Sequence, residues 1–139
     1  MERKLVLASH GTLASGIKSS LELICGNKLP LETLDCYVTE GFDLEKAVME
    51  IMERHRNYEL VVVTDLLGGS VNNEFLAYIQ RENFYLVAGM NLPFLIELTM
   101  HFQITESLSE MIETSLVTAK QTIQFCNQLI SKEVAEEEF

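Results

Sequence analysis

Two hydrophobic patterns alternate along the chain, and together they predict strands and helices in turn. Continuous apolar runs at residues 5–8 and 60–63 are typical of strands that are buried on both faces of a parallel sheet. Residues 33–38 alternate between polar and apolar, which favours a less buried edge strand. Residues 84–88 predict a fourth strand.

Helices are predicted between and after these strands from apolar residues at helical spacing and from the residues that cap them. The predicted helices start near residues 12, 44, 70, 92 and 108. Asp43 is a good cap for the second, and Pro93 suits the first turn of the fourth. Ser107 and Glu110 have the spacing of a capping box, and the apolar stripe that follows them runs to Ile130.

This order of elements predicts an α/β fold, a doubly wound three-layer sandwich with a mostly parallel sheet. If the two doubly buried runs are the central strands, the strand order is 2-1-3-4, and the direction of the chain reverses between strands one and three. Open α/β sheets place their sites in the crevice at that point, outside the carboxyl ends of the strands. We therefore expect the functional residues where strands one and three end.

Composition narrows the range of partners. The chain has 139 residues, enough for one domain, and its 21 acidic against 10 basic residues give a formal net charge of −11. Such an acidic chain, without a basic cluster, is a poor candidate for binding nucleic acid or an anionic membrane face. Four glutamates fall within the last seven residues, so we expect one domain at residues 1–132 and a solvated acidic tail at residues 133–139.

Cysteine usage and the lengths of the apolar runs bear on the compartment. Cys25, Cys36 and Cys126 are widely separated and form no CxxC pair, which favours a reducing environment over a disulfide scaffold or a zinc site. No apolar segment approaches membrane-spanning length, and the run near the N-terminus is too short for a signal peptide. We therefore predict a cytoplasmic protein without direct membrane insertion.

Candidate chemistry falls at the two strand ends that the fold prediction singles out. Strand one leads into His10 and strand three leads into Asp65, so their side chains are expected within hydrogen-bonding reach. A carboxylate that accepts the proton of one ring nitrogen leaves the other nitrogen free as a nucleophile. It also stabilises the positive ring that forms when the imidazole is phosphorylated. The sequence thus points to His10 as a phosphoryl acceptor and to Asp65 as its partner.

Glycine-rich turns flank both residues and open the helices that follow. Backbone N–H groups at the helix starts and two hydroxyls are expected to hold the phosphoryl group; the candidate residues are Gly11, Thr12, Gly68, Gly69 and Ser70. No Arg or Lys lies between residues 64 and 79, so the guanidinium clamp usual in enzymes that hydrolyse phosphate esters is missing there. A site of backbone donors suits a phosphoryl group that is handed on.

Other residues near these motifs have plainer interpretations. His55 lies in a charged stretch and is predicted to be an exposed residue near a helix end, and His101 is predicted to be structural. Leu66 and Leu67 lie beside the site, where docking of a partner and packing within the loop are equally consistent with the sequence.

Three spaced motifs follow one another in order along the chain. They are Ser9-His10-Gly11 with Ala14 and Gly16, then Asp65 with Gly68-Gly69-Ser70 and Asn73, then Ala88-Gly89-Met90-Asn91-Leu92-Pro93. With these motifs the chain resembles enzyme IIA of the mannose family of the bacterial sugar phosphotransferase system. It departs from many members at Val71, where they have proline; valine keeps an N–H that proline lacks and loosens the start of the helix slightly.

The resemblance implies a function and partners. His10 would accept a phosphoryl group from the phosphorylated histidine-containing phosphocarrier protein and pass it to a IIB component, which phosphorylates the incoming sugar. Asp65 matches the family's orienting aspartate. The family also implies a homodimer, whose sheet is completed by an antiparallel strand exchanged between subunits, and a site without metal or organic cofactor. Because no IIB domain follows in this sequence, we expect that partner on a separate polypeptide.

Two other functions remain open at this point. The same domain occurs inside transcriptional activators, where phosphorylation of the histidine reports sugar status, so a regulatory module of sugar metabolism is the alternative. A different enzyme with a histidine at a strand tip is the second, but a histidine phosphatase needs an arginine beside that histidine, and Ser9 stands there. A tetrapyrrole metal chelatase needs further ligands in the cleft, and neither His55 nor His101 can be assigned to it from the sequence.

Overall fold

The computed structural model describes residues 1–137, with side chains to residue 132, and these residues form four strands and six helices. In chain order they are β1 (Arg3–His10), α1 (Leu13–Cys25), β2 (Leu31–Cys36), α2 (Leu44–Arg54), β3 (Glu59–Thr64), α3 (Ser70–Leu76), β4 (Phe84–Ala88), α4 (Leu92–His101), α5 (Leu108–Lys120) and α6 (Cys126–Glu137). None of the helices within this range is long and apolar enough to cross a membrane.

The strands form one sheet in the order β2-β1-β3-β4, and every neighbouring pair is parallel. The predicted α/β class and the order 2-1-3-4 are therefore confirmed. The register pairs Ala8 of β1 with Thr64 of β3, so the residues that follow, at the carboxyl ends of both strands, lie side by side. This is the edge at which the sequence predicts the site.

Helices cover both faces of the sheet, because consecutive residues of the central strands point to opposite sides. One face packs Leu5, Leu7, Val61 and Val63 against α1, α4 and α5. The other packs Val6, Ala8, Leu60 and Val62 against α2 and α3. All eight side chains are fully buried, as the continuous apolar runs predict for strands covered on two sides.

The edge strand β2 is less buried than the central strands, and it is shorter than the alternating pattern predicts. The alternation continues through Val38, whereas the strand ends at Cys36. The chain leaves the sheet at Tyr37, whose φ is 65° in the left-handed region, and Val38 is exposed. Alternation alone does not report such a change of backbone conformation.

The C-terminal apolar stripe forms two helices rather than one. Ser107 caps α5 by accepting a hydrogen bond from the N–H of Glu110, which is one half of the predicted capping box. The other half is not formed, because the N–H of Ser107 donates to the hydroxyl of Thr105. After α5 ends, the hydroxyl of Thr122 donates to the carbonyl of Ala119, which competes with continued helical bonding, and Ile123 is exposed. The predicted boundary at residues 132/133 falls within α6; the acidic tail at 133–139 stays a prediction, because its side chains and residues 138–139 lie outside the described part.

Candidate functional site

His10 and Asp65 are in direct contact at the carboxyl edge of the sheet. His10 is the last residue of β1, and Asp65 directly follows β3. One carboxylate oxygen of Asp65, Oδ2, accepts a hydrogen bond from the backbone N–H of His10 at 2.8 Å, and it lies 2.9 Å from Nδ1 of the same residue. The carboxylate therefore holds both the backbone and the ring of His10 in place.

This contact determines which ring nitrogen is available for chemistry. A carboxylate oxygen can only accept, so Nδ1 carries the proton of the neutral imidazole and Nε2 keeps a lone pair. The side chain of His10 is 42% exposed, whereas that of Asp65 is 11% exposed. The structure thus presents an imidazole whose inner nitrogen is held by a largely buried carboxylate and whose outer nitrogen can act as a nucleophile.

The two glycines of the loop after β3 have different roles. Gly68 has φ +82°, a left-handed conformation that glycine adopts without strain. Gly69 has an ordinary φ of −76° but lies against the ring of His10: a Cβ there would be 3.2 Å from Cε1 of His10 and 3.3 Å from the carbonyl oxygen of Leu66. One glycine therefore allows the turn, and the other makes room for the imidazole.

The backbone donors expected at the start of α1 are largely engaged within the protein. The N–H of Ala14 donates to the buried hydroxyl of Ser9 at 2.7 Å, and the N–H of Ser15 donates to Asp35 at 3.0 Å. The N–H of Gly11 donates to the carbonyl of Cys36 at 2.8 Å. Because side chains and backbone from β1 and β2 cap this helix, it offers fewer free donors than the sequence suggested.

The loop before α3 faces the outer nitrogen of His10. The N–H of Gly69 donates to the carbonyl of Leu66 at 3.2 Å, so this amide also has an internal partner. Ser70 differs, because its hydroxyl oxygen lies 3.3 Å from Nε2 of His10. The backbone N–H groups of Thr12, Gly68 and Ser70 have no hydrogen-bond partner within the described residues. These N–H groups, together with the hydroxyls of Ser70 and of exposed Thr12, are therefore candidate donors at the site.

Tyr37 is a residue of the site that the sequence pattern did not indicate. Its hydroxyl lies 2.8 Å from the hydroxyl oxygen of Ser70, and its ring lies beside that of His10 with 5.6 Å between centroids. The pattern counts Tyr37 as one polar-side position of the edge strand, and only its left-handed backbone brings it to the site. The sequence contains no signal for that conformation.

Cys36 lies beside the site but is not a competing nucleophile. Burial, reinforced by the negative charges of Asp65 and Asp35, raises the pKa of its thiol to about 11, although a hydrogen bond from the backbone of Ser9 acts in the opposite direction. The thiol therefore stays protonated at neutral pH, and a protonated thiol is a poor nucleophile.

The other histidines lie away from the crevice, and one differs from its prediction. His55 was predicted to be exposed, but it is buried: its Nδ1 lies 2.8 Å from the carbonyl oxygen of Ile51, and its ring packs on Tyr58. It closes the C-terminal end of α2, so its place in a charged stretch was misleading. His101 is partly exposed, at the end of α4, with Nε2 3.7 Å from Glu97.

The two leucines between Asp65 and Gly68 lie on the surface. Leu66 is 58% exposed and Leu67 is 78% exposed, so packing within the loop, one of the two interpretations left open by the sequence, is wrong for these side chains. Val71, which departs from the resembled family, is fully buried on the sheet face covered by α2 and α3.

Comparisons with known proteins find components of the phosphotransferase system. Residues 4–116 match the EIIA-man family model, described as PTS system fructose IIA component. The mannose-specific EIIAB component of the phosphotransferase system of Escherichia coli (strain K12) is 21% identical over 123 residues, which cover 86% of this chain and 38% of that protein. The chain therefore spans well under half the length of the curated relatives that it matches.

Solved structures resemble the chain over nearly its whole length. A protein of Klebsiella pneumoniae, provisionally described as a phosphoenolpyruvate-dependent sugar phosphotransferase system permease, is 40% identical, with 94% of this chain and 95% of that chain covered and a TM-score of 0.89. The PTS IIA protein associated with the fucose utilization operon of Streptococcus pneumoniae is 26% identical, with 93% and 97% covered and a TM-score of 0.74.

Proposed function

Because the chain belongs to the EIIA-man family of phosphotransferase system IIA components, which transfer phosphoryl groups, we propose that it carries a phosphoryl group on Nε2 of His10 during sugar uptake. The observation that carries this proposal is the contact of Asp65 with Nδ1 of His10, which leaves Nε2 as the outward, unprotonated nitrogen. Asp65 is the proposed orienting and charge-stabilising residue.

The proposed reaction is a transfer between two imidazoles. Nε2 of His10 attacks the phosphorus of a phosphohistidine on the donor; the new N–P bond forms as the N–P bond of the donor breaks. The proton on Nδ1 stays where it is, so no base has to remove it, and the ring gains positive charge. The carboxylate at 2.9 Å stabilises this charge in the transition state and in the phosphorylated product.

The surroundings of Nε2 suit a phosphoryl group that is passed on. We propose that the hydroxyl of Ser70 and the backbone N–H groups of Ser70, Gly68 and Thr12 bind its oxygens, while Gly11 and Gly69 shape the site by their conformation and small size. The sequence has no Lys or Arg from residue 64 to 80, so no guanidinium binds the phosphoryl group from this loop. Without a guanidinium the phosphoryl group is bound less tightly, which keeps its transfer reversible.

The proposed partners are the histidine-containing phosphocarrier protein as donor and a IIB component as acceptor, both acting in the cytoplasm. Three exposed apolar side chains lie at the same edge of the sheet as His10: Leu13, Leu66 and Leu67. They support docking of a protein there. A homodimer with an exchanged antiparallel strand is also proposed from the family. In the described chain β4 pairs on one side only, which leaves a sheet edge open to such a strand.

Intact-mass measurement tests the proposal. The chain is incubated with phosphoenolpyruvate, enzyme I and the histidine-containing phosphocarrier protein, and we expect a mass gain of one acid-labile phosphoryl group. The gain should disappear in His10→Ala and persist in His101→Ala, a matched control at a partly exposed histidine far along the chain. Labelling that survives His10→Ala, or that never occurs with a competent donor, contradicts the proposal.

A further inference from the structure

Tyr37 has a backbone conformation that large L-residues rarely adopt. It directly follows the last residue of β2 and has φ 65°. For a bulky non-glycine residue this conformation is strained and is retained when its surroundings impose it, and such residues concentrate at functional sites. We therefore expect contacts of Tyr37 with its surroundings to hold it in this conformation.

Tyr37 contacts two groups of the His10 site and one supporting aromatic ring. Its ring is tilted by 31° beside the imidazole of His10, with 5.6 Å between centroids, and it meets the ring of Phe42 edge-on, with 5.4 Å between centroids. Its hydroxyl oxygen lies 2.8 Å from that of Ser70, which in turn lies 3.3 Å from Nε2 of His10. A continuous row of polar atoms thus joins Tyr37 to the proposed phosphoryl acceptor.

The directions of these hydrogen bonds follow from the chemistry of His10. With its proton on Nδ1, the imidazole can only accept at Nε2, so the hydroxyl of Ser70 is the donor in that contact. Ser70 has then used its only proton, and it must accept from the hydroxyl of Tyr37. Each hydroxyl in the row therefore donates toward His10.

We propose that Tyr37 is a positioning residue whose hydroxyl keeps the proton of Ser70 directed at the acceptor, first at Nε2 and then at the bound phosphoryl group. This inference rests on the proposed function. When the N–P bond forms, the lone pair of Nε2 is used and Ser70 loses its acceptor there. Because Tyr37 still donates to Ser70, the proton of Ser70 cannot turn back to Tyr37, and the nearest new acceptor is a phosphoryl oxygen.

The exchange of acceptors favours the phosphorylated state. Before transfer the hydroxyl of Ser70 donates to a neutral nitrogen; after transfer it donates to a charged oxygen, which makes a stronger hydrogen bond. Tyr37 does not touch the phosphoryl group in this arrangement and acts through Ser70. Its predicted effect is therefore on the equilibrium of phosphoryl transfer, and it should depend entirely on the presence of the Ser70 hydroxyl.

The test measures the equilibrium constant for transfer from the phosphorylated phosphocarrier protein by intact mass at several donor ratios. Tyr37→Phe keeps the ring and removes the hydroxyl, and we expect it to lower the constant by about threefold to tenfold, the range for a neutral hydrogen bond. Ser70→Ala should lower it by more, about tenfold or beyond. Tyr58→Phe, at the opposite edge of the sheet, is the matched control and should not change it.

A double-mutant cycle separates positioning from packing. In the Ser70→Ala background, Tyr37→Phe should have no further effect on the equilibrium constant. An equal effect in both backgrounds means that Tyr37 acts by packing alone and overturns the inference, as does a Tyr37→Phe protein that behaves like the wild type. If the wild-type protein is not phosphorylated at His10 by a competent donor, the proposed function itself fails, so the two failures are distinguishable.

Discussion

Replacing Asp65 by asparagine separates the two roles assigned to this carboxylate. One oxygen of Asp65 binds both the backbone N–H and Nδ1 of His10, so the asparagine carbonyl must face the same two donors, and its NH₂ group must occupy the place of Oδ1. Oδ1 is buried and has no hydrogen-bond partner within the described chain, so that replacement breaks no existing bond. The variant keeps the tautomer and orientation of His10 but removes the negative charge.

The size of the effect follows from the bond that changes. A hydrogen bond to a charged group contributes about 1.5–3 kcal/mol and a neutral one about 0.5–1.5 kcal/mol, so the ring, once positively charged, loses about 1–2 kcal/mol of stabilisation in Asp65→Asn. This corresponds to phosphorylation that is about 5- to 30-fold slower. Asp65→Ala also frees the ring, and misplacement of a reacting group adds a factor of up to about 100.

Rapid-quench kinetics with an excess of phosphorylated phosphocarrier protein measure both variants, with the fraction phosphorylated read by intact mass. Far-UV circular dichroism and thermal unfolding verify that they are folded. We expect the order wild type, Asp65→Asn, Asp65→Ala, each slower than the one before. Equal rates for wild type and both variants would refute the role of Asp65, and equal rates for asparagine and alanine would refute the separate contribution of orientation.

Three further predictions concern Gly69 and the cysteines. Gly69→Ala should slow phosphorylation about tenfold by displacing the imidazole, because its Cβ would lie 3.2 Å from Cε1 of His10. Gly16→Ala is the control: nothing lies within 4 Å of its Cβ, so the rate should not change. Equal rates for the two variants in rapid-quench experiments would contradict the steric argument. At pH 8, a thiol reagent such as Ellman's reagent should modify exposed Cys126 quickly and buried Cys36 only after unfolding. Because the folded state raises the pKa of Cys36 from 9.0 to about 11, it holds this proton more tightly than the unfolded state, and the resulting stabilisation is present below pH 9 and lost as the pH rises through 11. Between pH 9 and pH 11, the free energy of unfolding of Cys36→Ala, measured by urea titration, should therefore fall less than that of the wild type. An equal fall in both proteins would contradict the raised pKa of Cys36.

Much of the fold could be predicted because its central strands have a simple physical signature. Strands covered on both faces need apolar residues at every position, and residues 5–8 and 60–63 supply them without interruption. The order of the strands then determines which ends meet. The contact between His10 and Asp65 follows from that topology, because parallel neighbours end at the same edge of the sheet.

Features that depend on a single backbone conformation or on tertiary contact could not be predicted in the same way. Tyr37 reaches the site through a left-handed φ that no local pattern signals. His55 is buried although its sequence neighbours are charged, because its ring contacts the carbonyl oxygen of Ile51 in α2 and the ring of Tyr58. The donors at the start of α1 are occupied by Ser9 and Asp35, and Asp35 belongs to another strand, so the helix sequence does not reveal the second cap.

The double contact of one Asp65 oxygen with His10 has a consequence for the order of events. Because the same atom holds the backbone and Nδ1 of His10, the ring is fixed with Nε2 as its outward nitrogen. In the proposed transfer, the donor and the acceptor of the phosphoryl group must both reach this one nitrogen, and so they bind in succession. They exclude each other, so the kinetics of the complete transfer should be ping-pong, with the phosphorylated chain released between two encounters.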